Sequence, residues 1–190
     1  MNQTSQLFQL FRQNNGILRM KQAVECGIRK NLFGELVLQE KIIKLARGLY
    51  ALPDASIDGY ACFMYRVPNG IYSHGTAAFL HGLTTRSPLV FCMTVASGAN
   101  ISHIQERDIS VRFKYIQSGK ISIGKTQAET PFGNIVTVYD RERTIIDLIC
   151  SKDEMDGQVF SESLRTYFSS KRKNLLLLSE YAIQLNIEKK

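Results

Sequence analysis

The stretch Lys30–Gln39, KNLFGELVLQ, restricts the fold of this 190-residue chain more than any other. At about 100° per residue, Leu32, Phe33, Leu36 and Val37 fall on one helix face. Asn31, Gly34, Glu35 and Leu38 fall on the opposite face, with Lys30 at its edge. Such a helix can lock onto neighbours through one stripe and offer small and polar residues to a major groove through the other.

Its surroundings agree with that reading. Ser5–Arg12 carries Leu7, Phe8, Leu10 and Phe11 at helical spacing, and Asn14–Asn15–Gly16 ends the run. A second short helix is predicted over Arg19–Cys26, with Met20, Ala23 and Val24 on one side. Gly27 follows it, where a helix-turn-helix needs a tight turn. After the third helix, Ile42–Leu45 and Leu49–Leu52 are strand-like runs around an Ala46–Arg47–Gly48 turn. A hairpin directly after a recognition helix is a wing. Pro53 and Asp54 close the unit. The expected fold is therefore α+β, with a winged helix-turn-helix over 1–54 and a second domain over 55–190.

The charge distribution favours an anionic partner for the first unit. The whole chain carries a net +7, and residues 1–54 hold +4 of it. The candidate phosphate-holding cations are Arg29, Lys30, Lys41, Lys44 and Arg47, and Asn31 and Glu35 face the groove. The competing reading is a small helical domain with a hairpin that binds another protein. Arg112 and Lys114, together with the run Lys171–Arg172–Lys173, are candidates for a second basic surface.

The second segment reads as a mixed α/β domain with a central sheet and C-terminal helices. Ala61, Phe63, Met64 and Tyr65 suggest a short helix before Pro68. Ser73 is placed to cap a helix over His74–His81. Leu89–Val95 is a nearly unbroken apolar run, as in a strand covered on both faces. Ile109, Val111, Phe113 and Tyr115 alternate with Ser110, Arg112 and Lys114, which marks a half-exposed strand with a basic outer face. Asn134–Tyr139 is another strand. Helices follow over Arg141–Ile149, around Phe160, Leu164, Tyr167 and Phe168, and from an Asn174 cap onward. Arg143 and Asp147 are four apart and are expected to pair on the surface.

No enzyme or cofactor signature is present. His74 and His81 are seven apart, whereas a helical zinc pair sits at i and i+4. Cys26, Cys62, Cys92 and Cys150 are scattered and are expected to be buried reduced thiols. Nucleophile-elbow, P-loop and dinucleotide fingerprints are absent. Asp140, Glu142 and Asp147 alternate with arginines, as at a solvated or ion-paired helix start. No catalytic residue, metal or cofactor is expected. No apolar stretch reaches the ~20 residues a bilayer span needs, and MNQTSQLFQLFRQNN lacks the pattern of a signal peptide. These features suggest a cytoplasmic protein without membrane partners.

Several long strings resemble a known family. They are ARGLYALPD in the first unit, GIYSHGTAAFLHGLTTRSP at Gly70–Pro88, TPFGNIVTVYDRERTIIDLI at Thr130–Ile149, and ESLRTYFSSKRKNLLLLSEYA at Glu162–Ala182. Over nearly the whole chain, and in order, the sequence resembles the AbiEi antitoxins of type IV abortive-infection toxin–antitoxin systems. The resemblance implies a winged helix-turn-helix that binds inverted repeats in double-stranded operator DNA and represses its own operon. It also implies a second domain that counters a nucleotidyltransferase-like toxin without a stable complex. Asn31 would then pair with adenine, and Glu35 would either accept from cytosine or repel stray DNA. The alternative is a ligand-responsive winged-helix transcription factor without antitoxin activity.

Overall fold

The computed structural model describes residues 2–101, 104 and 111–187. The chain divides into two compact units, Met1–Cys62 and Phe63–Lys190.

The first unit runs α1 (Gln3–Gln13), β1 (Ile17–Arg19), α2 (Met20–Glu25), α3 (Asn31–Leu38), β2 (Ile43–Ala46) and β3 (Leu49–Ala51). The Asn2 side chain caps α1 by accepting from the Thr4 amide. The three strands form an antiparallel sheet in the order β1-β3-β2. Beneath it lies one core of Leu7, Phe11, Leu18, Ala23, Ile28, Leu32, Phe33, Leu36, Ile42 and Tyr50. The apolar spacing of three helices meets there.

Helix α4 (Gly59–Arg66) carries the border between the units. The second unit contains β4 (Ile71–Tyr72), α5 (His74–Leu80), β5 (Phe91–Ala96), β6 (Val111–Ile116), β7 (Lys125–Glu129) and β8 (Ile135–Tyr139). It ends with α6 (Arg141–Cys150), α7 (Gly157–Ser169) and α8 (Leu175–Leu185). Its sheet has the order β6-β5-β4-β8-β7. The β5–β6 and β4–β8 pairs are parallel, and the β4–β5 and β7–β8 pairs are antiparallel. Ala78, Leu83, Ile145, Leu148 and Tyr167 form the buried cluster among the helices.

Helix α6 corrects the expectation of a surface ion pair. Residues Glu142 to Leu148 are all buried. Arg143 Nε donates to Asp147 Oδ1 at 2.9 Å, with side-chain exposures of only 3% and 11%. The guanidinium also donates to the Ile123 carbonyl at 3.0 Å and lies 4.0 Å from the centroid of the Tyr139 ring. Asp140 caps the helix by accepting from the Arg143 amide at 2.8 Å, and Tyr181 OH donates to its other oxygen at 2.9 Å. Tyr167 OH and the Asn174 amide both donate to Glu142 Oε1 at 3.0 Å. Hydrogen bonds replace water for most of this buried charge, and among the described residues Asp147 Oδ2 alone of these carboxylate oxygens is buried without a partner.

Other expectations also change. Leu89 is 97% exposed, because β5 begins only at Phe91. Of the alternating strand, Ile109 and Ser110 lie outside the described residues. In β6 Phe113 is buried, but Tyr115 is exposed, since β6 is an edge strand. Tyr167, not its neighbour Phe168, fills the core from α7. None of the four cysteines is in a disulfide, but Cys26 and Cys150 are exposed and the other two half-buried. Ser73 is the N-cap of α5 without a side-chain cap bond.

Arg143→Ala leaves Asp147 buried without its partner, and the expected loss is about 3–5 kcal/mol in urea unfolding. The double variant Arg143→Met/Asp147→Leu is expected to recover much of it. An unchanged midpoint for the single variant would return the pair to a solvated surface.

Candidate nucleic-acid interface

The site is built from α2, α3 and the β2–β3 hairpin. Helix α2 ends where Ile28 N–H donates to the Ala23 carbonyl at 3.0 Å and Gly27 N–H donates to the Val24 carbonyl at 2.9 Å. This double closure requires a left-handed residue, and Gly27 has φ 86°. Helix α3 ends in the same way. Lys41 N–H donates to Leu36 O and Glu40 N–H donates to Val37 O, both at 3.0 Å. Here the left-handed residue is Glu40, with φ 55°.

Helix α1 fastens the turn between α2 and α3. Gln3 Nε2 donates to the Gly27 carbonyl at 3.1 Å, and Gln6 Nε2 donates to the Cys26 carbonyl at 3.2 Å. Arg29 Nε donates back to Gln3 Oε1 at 2.9 Å. Three side chains thereby set the start of α3 against α1. Sequence reasoning missed Gln3 and Gln6, whose partners lie 20 or more residues away. The hairpin is held from its tip, where Met20 N–H donates to the Gly48 carbonyl at 2.9 Å.

The candidate residues occupy three places on this frame. Arg29, Lys30 and Asn31 are consecutive and exposed at the start of α3. Glu35 lies one turn on and is also exposed, while Leu32, Phe33 and Leu36 are buried behind them. Lys41, Lys44 and Arg47 are exposed before, within and at the turn of the hairpin. Leu38 is 87% exposed on the same side of α3 as Asn31 and Glu35, a position suited to apolar contact with a base methyl group.

The second basic set comes from two separate segments. Arg112 and Lys114 lie on β6, where Lys114 Nζ donates to Glu154 Oε2 at 2.5 Å and Arg112 donates to the Glu154 carbonyl at 3.2 Å. Lys171, Arg172 and Lys173 are exposed in the turn between α7 and α8. Among the described residues, no group of three or more His, Cys, Asp or Glu could hold a metal ion. His74 Nδ1 is 2.9 Å from Ser73 Oγ, and its Nε2 is 3.2 Å from Ser151 Oγ. His81 Nε2 is 2.6 Å from the Tyr139 carbonyl, an acceptor, so that nitrogen carries the proton. Burial pushes the Cys92 thiol up to about 11.

Exposed cations thus flank an exposed helix face on a frame of helix, turn, helix and hairpin. Residues 5–53 match the model of the family described as "Transcriptional regulator, AbiEi antitoxin". The crystal structure of RV2827C protein from Mycobacterium tuberculosis is similar at a TM-score of 0.53 and 13% identity. The likeness covers 98% of this chain and 77% of that one, and it concerns the fold alone. No curated protein matches. Among the described residues, no helix is long and apolar enough to cross a membrane.

Two predictions follow from these geometries. Glu40→Gly relieves a left-handed strain of roughly 1 kcal/mol, partly offset by the freer unfolded chain. The thermal midpoint is expected to hold or rise, and affinity for random duplex to increase as an acid leaves the basic face. Lower stability in this variant would refute the account of how α3 ends.

The second concerns pH. Burial holds both His74 and His81 below their ordinary pKa, outweighing the opposing pull of Asp147 on the first and the Tyr139 carbonyl on the second. Below about pH 6.5 the unfolded chain therefore binds more protons than the folded one, and stability falls as pH falls. Burial raises the Asp140 carboxyl, which acts in the opposite sense and adds stability on acidification. Stability curves between about pH 7 and about pH 5.5 are expected to slope downward toward acid. The slope should flatten in His74→Asn and His81→Asn; equal slopes in all three proteins would contradict the assignment.

Proposed function

We propose that the chain is an antitoxin of a type IV, phage abortive-infection toxin–antitoxin system that also represses its own operon. In this reading residues 1–54 are a winged helix-turn-helix and residues 55–190 carry the antitoxin activity. The observation that carries the DNA-binding part is the α3 face. Asn31 and Glu35 are exposed above the buried Leu32, Phe33 and Leu36, with Arg29, Lys30, Lys41, Lys44 and Arg47 exposed around them. The family match over residues 5–53 supports the same assignment.

The work divides by chemistry. The cations hold phosphates and supply most of the affinity, while Asn31 and Glu35 read base edges of inverted repeats. The partner is a nucleotidyltransferase-like toxin, countered without a stable complex, in the cytoplasm and without catalysis by this chain. A second reading, a ligand-responsive transcription factor without antitoxin activity, is favoured by a cavity of about 410 Å³ in the second unit. Growth rescue on co-expression with the adjacent gene product separates the two readings.

Binding to the chain's own upstream DNA is expected to exceed binding to random duplex and to weaken steeply with salt. Asn31→Ala is expected to cost about 1–3 kcal/mol on the operator and to relax sequence preference. Lys44→Ala should weaken binding to all sequences alike and reduce the salt slope by about one. Equal affinity for operator and random DNA in the unmodified protein would end the repressor proposal.

A further inference from the structure

The 410 Å³ cavity lies wholly in the second unit and has the size of a small-molecule site. Its floor is formed by β5 and β6. Its walls come from the start of α5, the segment 86–90 and the segment joining α6 to α7. The proposed DNA contacts use none of its residues; Arg112 and Lys114 are the pair singled out in sequence for a second basic surface.

Three cations line it: Arg86, Arg112 and Lys114. Arg112 and Lys114 are two apart on β6 and project to the same face. Both are occupied by one residue. Glu154 takes Lys114 through its carboxylate and Arg112 through its carbonyl. That carboxylate is itself an exposed group. Arg86 bonds Gln158 and stands 3.9 Å from Asp156.

Two further features face the same space. His74 is a non-glycine residue with φ 52°. It is held there by Ser73 and Ser151, and Ser73 Oγ also accepts from the Thr94 hydroxyl at 2.9 Å. Left-handed backbone of this kind persists where surrounding bonds over-determine it, and such residues cluster at ligand sites. The rim is apolar, with Leu89 and Val90 exposed and Val159 beside them.

We propose that this cavity binds a small organic phosphate. The phosphoryl group takes Lys114 in place of the Glu154 carboxylate and Arg112 in place of the Glu154 carbonyl, and the organic part rests against Leu89, Val90 and Val159. A monoanion would only exchange one carboxylate for another. A phosphoryl group carries nearly two charges at neutral pH and three acceptor oxygens, and it matches the guanidinium fork. The His74–Ser151 pair supplies neutral hydrogen-bonding groups at the same wall.

The test follows thermal midpoint and calorimetric binding of the full-length protein at matched ionic strength. The probes are ATP, glucose 6-phosphate, adenosine, glucose and inorganic phosphate. At least one organic phosphate is expected to bind and raise the midpoint, its unphosphorylated parent to do neither, and inorganic phosphate to bind more weakly. The responding compound tells a nucleotide site from a sugar-phosphate site. Arg112→Ala and Lys114→Ala should each weaken binding about tenfold, with circular dichroism confirming the fold. Glu154→Gln should tighten it, because the competing carboxylate is gone, whereas a merely structural Glu154 would give no gain. The proposal is overturned if neither organic phosphate binds, if inorganic phosphate binds equally well, or if Glu154→Gln fails to tighten binding. Loss of DNA affinity in the two cation variants, without organic-phosphate binding, would overturn it in favour of a DNA surface.

Discussion

The first unit depends on where Phe33 sits. Its ring centroid lies 6.5 Å from that of Phe11 on α1 and 4.7 Å from that of Tyr50 on β3. Aromatic pairs of this kind add about 0.5–1.5 kcal/mol beyond the burial of their area. More important is the geometry. A ring held between a helix and a strand fixes the roll of α3 about its own axis. Once that roll is fixed, Asn31 and Glu35 can only face outward, because Leu32 and Leu36 are packed inward alongside Phe33. Gln3, Gln6 and Arg29 then set the position of the helix start. The core sets the rotation and α1 sets the placement, so a polar face becomes a positioned one.

The parts of this arrangement that could be read from sequence are those with long repeats. In α1 and α3, apolar residues recur often enough to show which face is buried, and Gly27 and Gly48 mark turns whose backbones need positive φ. Short elements carry no such signal. Strands β1 and β4 have three and two residues, too few for an alternation. Strand β7, KTQAE, has only Ala128 partly covered, because it is an edge, and so it reads as loop. The run Leu89–Val95 misled for the opposite reason: apolar residues at a cavity rim look, in sequence, like the start of a buried strand.

The charged string at 140–147 shows why polar burial is hard to read. Four apart on a helix, Arg143 and Asp147 have the spacing of a surface pair. What buries them lies elsewhere in the chain. Ile123 and Tyr139 receive the guanidinium, Tyr181 holds the capping Asp140, and Tyr167 with the Asn174 amide holds Glu142. Each partner is unremarkable in its own segment. Burial of the charges is a property of the assembled set, since any one of them without its partners would be too costly to remove from water.

That distinction alters how the net charge should be weighed. By count, the two segments divided at Asp54 carry comparable excesses of positive charge, which made Arg112 and Lys114 resemble Lys41 and Lys44. Their surroundings differ. Arg143 is neutralised inside the helical layer, and Lys114 is held by Glu154 at the edge of a cavity. In the first unit Lys30, Lys41 and Lys44 are exposed around one helix and one hairpin. A long-range field that attracts a polyanion comes from cations that acids nearby do not cancel. On that basis the exposed cations of the first unit, less what Glu35 and Glu40 on the same face take away, supply the attraction that the proposed DNA role requires. The cations of β6 act at short range, on whatever can outbid one carboxylate.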